Sequence, residues 1–512
     1  MNTLRAPLFS LLSLGLCLSC AAPGAAQSTD APPPAPAADN SNPSFFGNLN
    51  RDLVQERGNL GSCTSGIKGI PGCAQTLFTG TPFHIAVGSL APQNGVGFGL
   101  AYAEFYHPTY CASWLDFTHA PAPGTRNACH WSLTFNADAQ ASGNASWRAG
   151  VYITAARLSS RAPAPHVPVP GQPRTQHAPR TFTTPSPTVS FYSVSNSLNR
   201  IYYYGLGPNT LPAARTDFGI SENITGINTA IPITSWFASA GLILVGEING
   251  RFPSVRGSNG DTSPSIETTY TELTAPGLAS QPSYLQTGEG LRIIPALPAA
   301  VHLKLNYLVK LQQFDAPSDS HYSFRRFTAD LDHRLVLYTR NVGKPASAPP
   351  PPLPGAPART IPPISPTRDI TGSLSARLFI QESIAGAGSV VPFYLDPTIG
   401  GSDINGQSIL ASYPDYRFRA PNLLLINGAY EQSLGKIPIG LYLGIDEAKV
   451  GLNRDDVDFS HLRHSYLGGI TIHAGGLPVV YLLFAWGGDE GHHTIANISN
   501  SLLGSSSRPS LF

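Results

Sequence analysis

The sequence predicts an all-β chain that crosses a membrane as an antiparallel β-barrel, and three observations carry that. Charged residues make up 12% of the 512-residue chain, about half the share of an ordinary soluble domain. The chain holds 50 glycines and 48 prolines, and helical periodicity is scarce along it. Apolar residues instead recur at every second position in one segment after another, the period of a strand with two unlike faces. After the N-terminus no apolar run approaches the roughly 20 residues of a spanning helix, so a membrane protein of this kind crosses with strands.

The first 26 residues set the compartment. Arg5 precedes an apolar stretch from Ala6 to Ala22, and Gly24-Ala25-Ala26 supplies small residues for cleavage. That order reads as an export signal peptide. Four cysteines follow it, Cys63, Cys73, Cys111 and Cys129. An even number in an oxidising compartment reads as two disulfides, and the spacing favours Cys63–Cys73 and Cys111–Cys129, with other pairings open. Residues 27–80 form a Pro-rich N-terminal segment on the periplasmic side, opening on a Pro/Ala linker too poor in apolar residues to fold. Residues 81–512 are the barrel, interrupted by Pro-rich inserts at 161–188 and 346–366 that should be extended and semi-rigid.

Strand patterns begin near Phe83. The early ones, at 95–107, 130–140, 146–158, 200–208 and 238–250, are blurred by glycine. Later ones are sharper. In 437–446, Ile437, Ile439, Leu441, Leu443 and Ile445 share one parity and Gly440, Tyr442, Gly444 and Asp446 the other. Residues 423–433 repeat the pattern less cleanly, and Gly435-Lys436 between them reads as a hairpin turn. The five apolar residues are the expected lipid face. On the opposite parity of 324–337 and 373–381 stand Arg326, Asp330, Asp332, Arg334 and Arg377. Charges of mixed sign packed so closely fit an enclosed lumen, where each must find a partner. A soluble sheet would turn such a face to water, and a secreted soluble all-β protein is the second alternative reading.

Loop lengths near the C-terminus alternate between tight and long, as barrels do with short periplasmic turns and longer outer loops. By that parity the 346–366 insert belongs to the periplasmic side. Trp486 and Tyr481 suit an interfacial aromatic girdle, and a core aromatic would read alike. The net charge of +1 leaves no basic footprint for nucleic acid. No nucleophile elbow, phosphate loop or dinucleotide fingerprint occurs, so no catalytic residue, cofactor or metal is expected. Asp489, Glu490, His492 and His493 hold ligand-type side chains, but they are adjacent at a hairpin tip and read as a polar turn.

The stretches 322–338, 373–407 and 416–446, continued by the hairpins of 465–486, resemble the BamA/TamA type of outer-membrane protein, also called the bacterial surface antigen family. The resemblance covers about 40% of the chain. It implies a barrel of about 16 strands in the bacterial outer membrane. It also implies a long extracellular loop, here about 391–412, folded into the lumen with Gly400 and Gly401 at the expected place. In the family an Arg-Gly-aromatic motif locks that loop. Here the corresponding residues read Ile404-Asn405-Gly406-Gln407, with neither arginine nor aromatic, so the lock is expected to lack its charge. Residues 27–80 are also too short for the periplasmic POTRA domains that family insertases carry. The implied role is assembly or translocation at the outer membrane. Implied partners are outer-membrane lipid and lipopolysaccharide, unfolded outer-membrane proteins or a periplasmic partner. The first alternative is a passive pore or structural barrel without insertase activity.

Overall fold

The computed structural model describes residues 83–106, 131–157, 187–233, 240–258, 263–295, 297, 301–342, 368–401, 408–434, 439–474 and 477–498. The signal peptide, the 27–80 segment and all four cysteines lie outside the described residues, as do Ile437, Asn405 and Gly406.

The chain runs through β1 (Phe83–Ser89), β2 (Val96–Tyr106), β3 (Trp131–Ala141), β4 (Trp147–Arg157), β5 (Thr188–Tyr203), β6 (Thr216–Ile233) and β7 (Ala240–Gly257). A short helix at Ile266–Thr269 precedes β8 (Tyr284–Pro295), β9 (Leu303–Asp315), β10 (Phe324–Val342) and β11 (Arg368–Ala385). After a two-stranded ribbon of β12 (Thr398–Ile399) and β13 (Phe418–Arg419) come β14 (Asn422–Ser433), β15 (Ile439–Gly451), β16 (Arg463–Ala474), β17 (Leu477–Gly488) and β18 (Gly491–Ile498). Setting the ribbon aside, each strand pairs antiparallel with the next, giving one sheet of 16 strands in chain order. This is the all-β meander the sequence implies. The sheet rolls into a barrel around the segment between β11 and β14, which touches its wall from β1 to β18. Cα atoms of β1 and β18 approach within 8 Å, yet no ladder joins them among the described residues.

The wall has two unlike faces. On β15, Ile439 and Leu441 are half-buried, while Leu443 is 46% and Ile445 38% exposed. Phe98 and Leu100 on β2, Val309 and Leu311 on β9 and Phe484 on β17 are likewise exposed at alternate positions. Together they form an apolar belt with no second layer over it among the described residues. The other parity faces inward. Asp332 lies opposite Arg377, and Arg326 opposite Ser383, in the β10–β11 ladder. Arg377 Nε donates to Asp330 Oδ1 at 2.7 Å and Nη2 to Oδ2 at 3.0 Å. Arg334 donates to Ser373 Oγ at 3.3 Å.

Two sequence expectations need correction. The strand expected at 200–208 is the end of β5, which begins at Thr188 and leaves the sheet after Tyr203. β6 carries no clear sequence signal, because it has polar side chains on both parities in its first half (Ser221, Asn223 and Thr225 outside, Thr216 and Glu222 inside). Tyr481 belongs to the inner face, with its ring 6.1 Å from that of Tyr442, whereas Trp486 is exposed on the outer face.

The connections sort cleanly by end. The strand ends that flank 435–438, 475–476, 346–366 and 161–188 all lie at the end of the sheet opposite the β11–β14 connection.

Candidate functional site

The segment 386–421 leaves β11 and folds against the inner wall, where Val391–Gly401 is buried without interruption. A 3-10 turn at Phe393–Leu395 seats Phe393 against Tyr203 and Phe218, each ring centroid 5.1 Å away. The chain then reverses at Gly400 (φ +111°) and Gly401 (φ +62°). These conformations exclude most side chains, and a Cβ on Gly400 would stand 2.5 Å from Arg417 Cβ. Gly400 N donates to Ile409 O and accepts at its own carbonyl from Tyr416 N, both at 3.0 Å. Gly400 and Gly401 therefore pin the inner loop, which we call the plug.

Three arginines hold it, and two of them come from the plug itself. Arg417 donates through Nε to Glu490 at 2.6 and 2.9 Å, through Nη1 to Thr210 Oγ1 at 2.7 Å and through Nη2 to Thr210 O at 2.6 Å. Its guanidinium lies 4.5 Å from the Phe418 ring centroid. Arg419 donates to Phe393 O at 2.7 Å and sits among Tyr203, Phe218 and Phe393. From the wall, Arg326 donates to Ser383 Oγ at 3.1 Å and to Leu395 O at 2.5 Å. All three arginines are buried. Charge-assisted bonds of this kind are about twice as strong as neutral ones.

Asp396 lies close enough to Arg326 and Arg419 to feel both, but neither of its oxygens meets a donor among the described residues. Burial pushes its carboxyl up to about 8, while Arg326 and Arg419 pull it back down.

The remaining anchors are spread around the wall. Asp446 of β15 accepts from Leu410 N at 3.0 Å, and Ser465 Oγ of β16 accepts from Ser412 N at 2.9 Å. At the β1–β2 turn, Gln93 donates to Asp415 at 2.6 Å and Tyr416 to Pro92 O at 3.3 Å. A single segment that touches turns so far apart in the sheet fills the lumen rather than lining one side.

The expected lock residues Ile404, Asn405, Gly406 and Gln407 lie outside the described residues. The plug's own arginines in contact with the wall are Arg417 and Arg419, more than ten residues further on. The signal for them is visible in the sequence: Tyr416-Arg417-Phe418-Arg419 alternates arginine with aromatics in a chain poor in charge. Glu490, read as part of a polar turn, is the partner of Arg417. Among the described residues no group of His, Cys, Asp or Glu could hold a metal ion.

No family model matches the chain, and no curated protein matches it. Solved structures do. CdiB from Acinetobacter baumannii aligns at a TM-score of 0.40 and 9% identity, over 82% of this chain and 57% of that one. BamA from Haemophilus ducreyi, lacking POTRA domains 1–3, aligns at 0.38 and 9%, over 82% and 69%. CdiB from Escherichia coli aligns at 0.37 and 10%, over 78% and 57%. The chain thus spans under two thirds of either CdiB.

Proposed function

We propose that this chain is an outer-membrane barrel that handles polypeptide, assembling it into the membrane or passing it across, with the plug closing the lumen at rest. The observation that carries the reading is the join between β1 and β18. These strands are 7 and 8 residues long, lie side by side and carry no ladder between them among the described residues. An unpaired strand edge presents free N–H and C=O groups that template an incoming strand. In a bilayer such groups are costly unless satisfied, which gives a nascent strand a reason to dock there. The outer belt supplies the lipid contact, and the plug supplies a lumen that does not leak while the edge is occupied.

The test is reconstitution of the full chain into liposomes, followed by addition of an unfolded client barrel. Faster client folding than in empty liposomes supports the proposal. Ion conductance without acceleration assigns the chain to passive barrels instead, and release from membranes on alkaline washing returns it to the secreted soluble class.

A further inference from the structure

Beyond the apolar belt, toward the plug end, β5 and β6 carry a ladder of short polar side chains on their outer face. Ser193 Oγ and Thr225 Oγ1 hydrogen-bond at 2.8 Å, Asn223 Nδ2 donates to Ser195 Oγ at 2.8 Å, and Ser221 Oγ donates to Ser197 Oγ at 3.2 Å. Arg256 of β7 closes the ladder at its top. It donates through Nη1 to Ser221 Oγ at 2.5 Å, and through Nη2 to Ser197 Oγ at 3.0 Å, to Leu198 O at 3.2 Å and to Asn199 Oδ1. Each of these acceptors is neutral, and no carboxylate pairs with Arg256 among the described residues. Arg200, beside Asn199 in the chain, has Asp217 at 3.6 Å.

The ladder forms the floor of a trough. Trp147 of β4 lies opposite Ser197, and Phe252 of β7 opposite Asn223, and these taller side chains are 42% and 53% exposed. Between them the flanks are low, with Ala149 opposite Ser195 and Gly250 opposite Thr225. The same residues fix the depth. On β4 to β7, Trp147 and Phe252 are the last exposed large apolar side chains toward the plug end among the described residues, and Val151, Phe191, Ile227 and Ile248 continue the belt below them. A tryptophan at such an edge settles at the membrane–water interface. Ser197, its partner across the ladder, accepts from Arg256, so the guanidinium lies level with that interface.

We propose that this trough binds a phosphorylated sugar of outer-leaflet lipopolysaccharide, with a phosphate on Arg256 and sugar hydroxyls along the Ser/Thr/Asn ladder. A half-buried guanidinium without a counter-ion is costly, and phosphate is a partner that arginine binds strongly. Serine, threonine and asparagine side chains both donate and accept, as the hydroxyls of a sugar require. The plug end faces outward by the loop parity, so the leaflet it meets is the one that carries lipopolysaccharide. The inference rests on the outer-membrane reading, and it names a glycolipid partner for the wall, apart from the seam and the plug.

The test is native mass spectrometry of the full chain, folded in detergent and titrated with deep-rough lipopolysaccharide, with the same glycolipid after dephosphorylation, and with phosphatidylglycerol. Wild type should bind the phosphorylated glycolipid in preference to both others. Arg256→Gln should lower that affinity about tenfold, the loss of one charge-assisted hydrogen bond. Ser195→Leu keeps the arginine but fills the trough, and should weaken the glycolipid while leaving phosphatidylglycerol unchanged. Heat-modifiability on gels establishes that each variant is folded before titration. Equal affinity of wild type for the phosphorylated and dephosphorylated forms, or of wild type and Arg256→Gln for the first, overturns the site while leaving the barrel standing. Equal binding of phosphatidylglycerol overturns it in favour of any anionic headgroup, and displacement by millimolar inorganic phosphate overturns it in favour of a free anion. A wild-type chain with no heat-modifiable folded band overturns the barrel reading first.

Discussion

Arg417 is buried with Glu490 as its only carboxylate among the described residues, so the two behave unequally when one is removed. Deleting the acid leaves a guanidinium out of solvent without its counter-ion, a loss of about 3–5 kcal/mol for a buried pair. Glu490→Ala is therefore expected to loosen the plug and raise single-channel conductance in planar bilayers. Unchanged conductance would rule the pair out as an anchor. Asp396 gives a pH dependence of opposite sign to a paired carboxylate. Its pKa is about 8 in the folded chain against about 4 when unfolded, so between those values the folded state holds a proton that the unfolded state has lost. Stability is then highest below pH 4, falls as pH rises to about 8, and is level above. Thermal melts at pH 5 and pH 9 should differ in wild type and converge in Asp396→Asn. An unchanged pH slope in that variant would place the titration elsewhere.

Strands show the same logic on a longer scale. β15 alternates because one face meets hydrocarbon and the other meets the plug: Asp446 takes the Leu410 amide, while Leu443 and Ile445 stand exposed. Leu443→Arg puts a charge in the belt, with a cost of about 2–4 kcal/mol near mid-bilayer. Heat-modifiability on gels should show a lower folded fraction for it, and little loss for Leu443→Val. The plug element depends on its glycine turn. Gly400→Ala forces a side chain onto a left-handed residue 2.5 Å from Arg417 Cβ, at roughly 1–3 kcal/mol, and should shift the plug as Glu490→Ala does. β6 is the counter-example: the outer parity of its first half is polar (Ser221, Asn223, Thr225), while Phe218, Ile220 and Ile224 are buried on the inner one.

At the scale of the molecule, the plug joins elements that the meander keeps apart. Thr210, Arg326, Asp446, Ser465 and Glu490 come from five regions of the wall, and each fixes the same 30-odd residues. If strand exchange at the β1–β18 join requires the plug to move, tethering it stops the process. A Ser412→Cys/Ser465→Cys pair replaces the 2.9 Å hydrogen bond between plug and β16 with a reducible link. Client folding in liposomes should fall when it is oxidised and recover on reduction. Equal activity in both states would mean that the plug is a fixed filler and the seam works without it.

What the sequence determined by itself is the class of the wall. Period-two alternation with scarce charge is forced on any strand that has hydrocarbon on one side, so Ile439, Leu441, Leu443 and Ile445 announce their face wherever the chain places them. Gly400 and Gly401 were singled out through the family resemblance, and their positive φ explains why glycine stands there. What only the tertiary structure decided is which interior charges meet. Arg417 and Glu490 are 73 residues apart and Arg417 and Thr210 are 207 apart, and such partners are chosen by closure of the sheet around the plug. No local period encodes that closure.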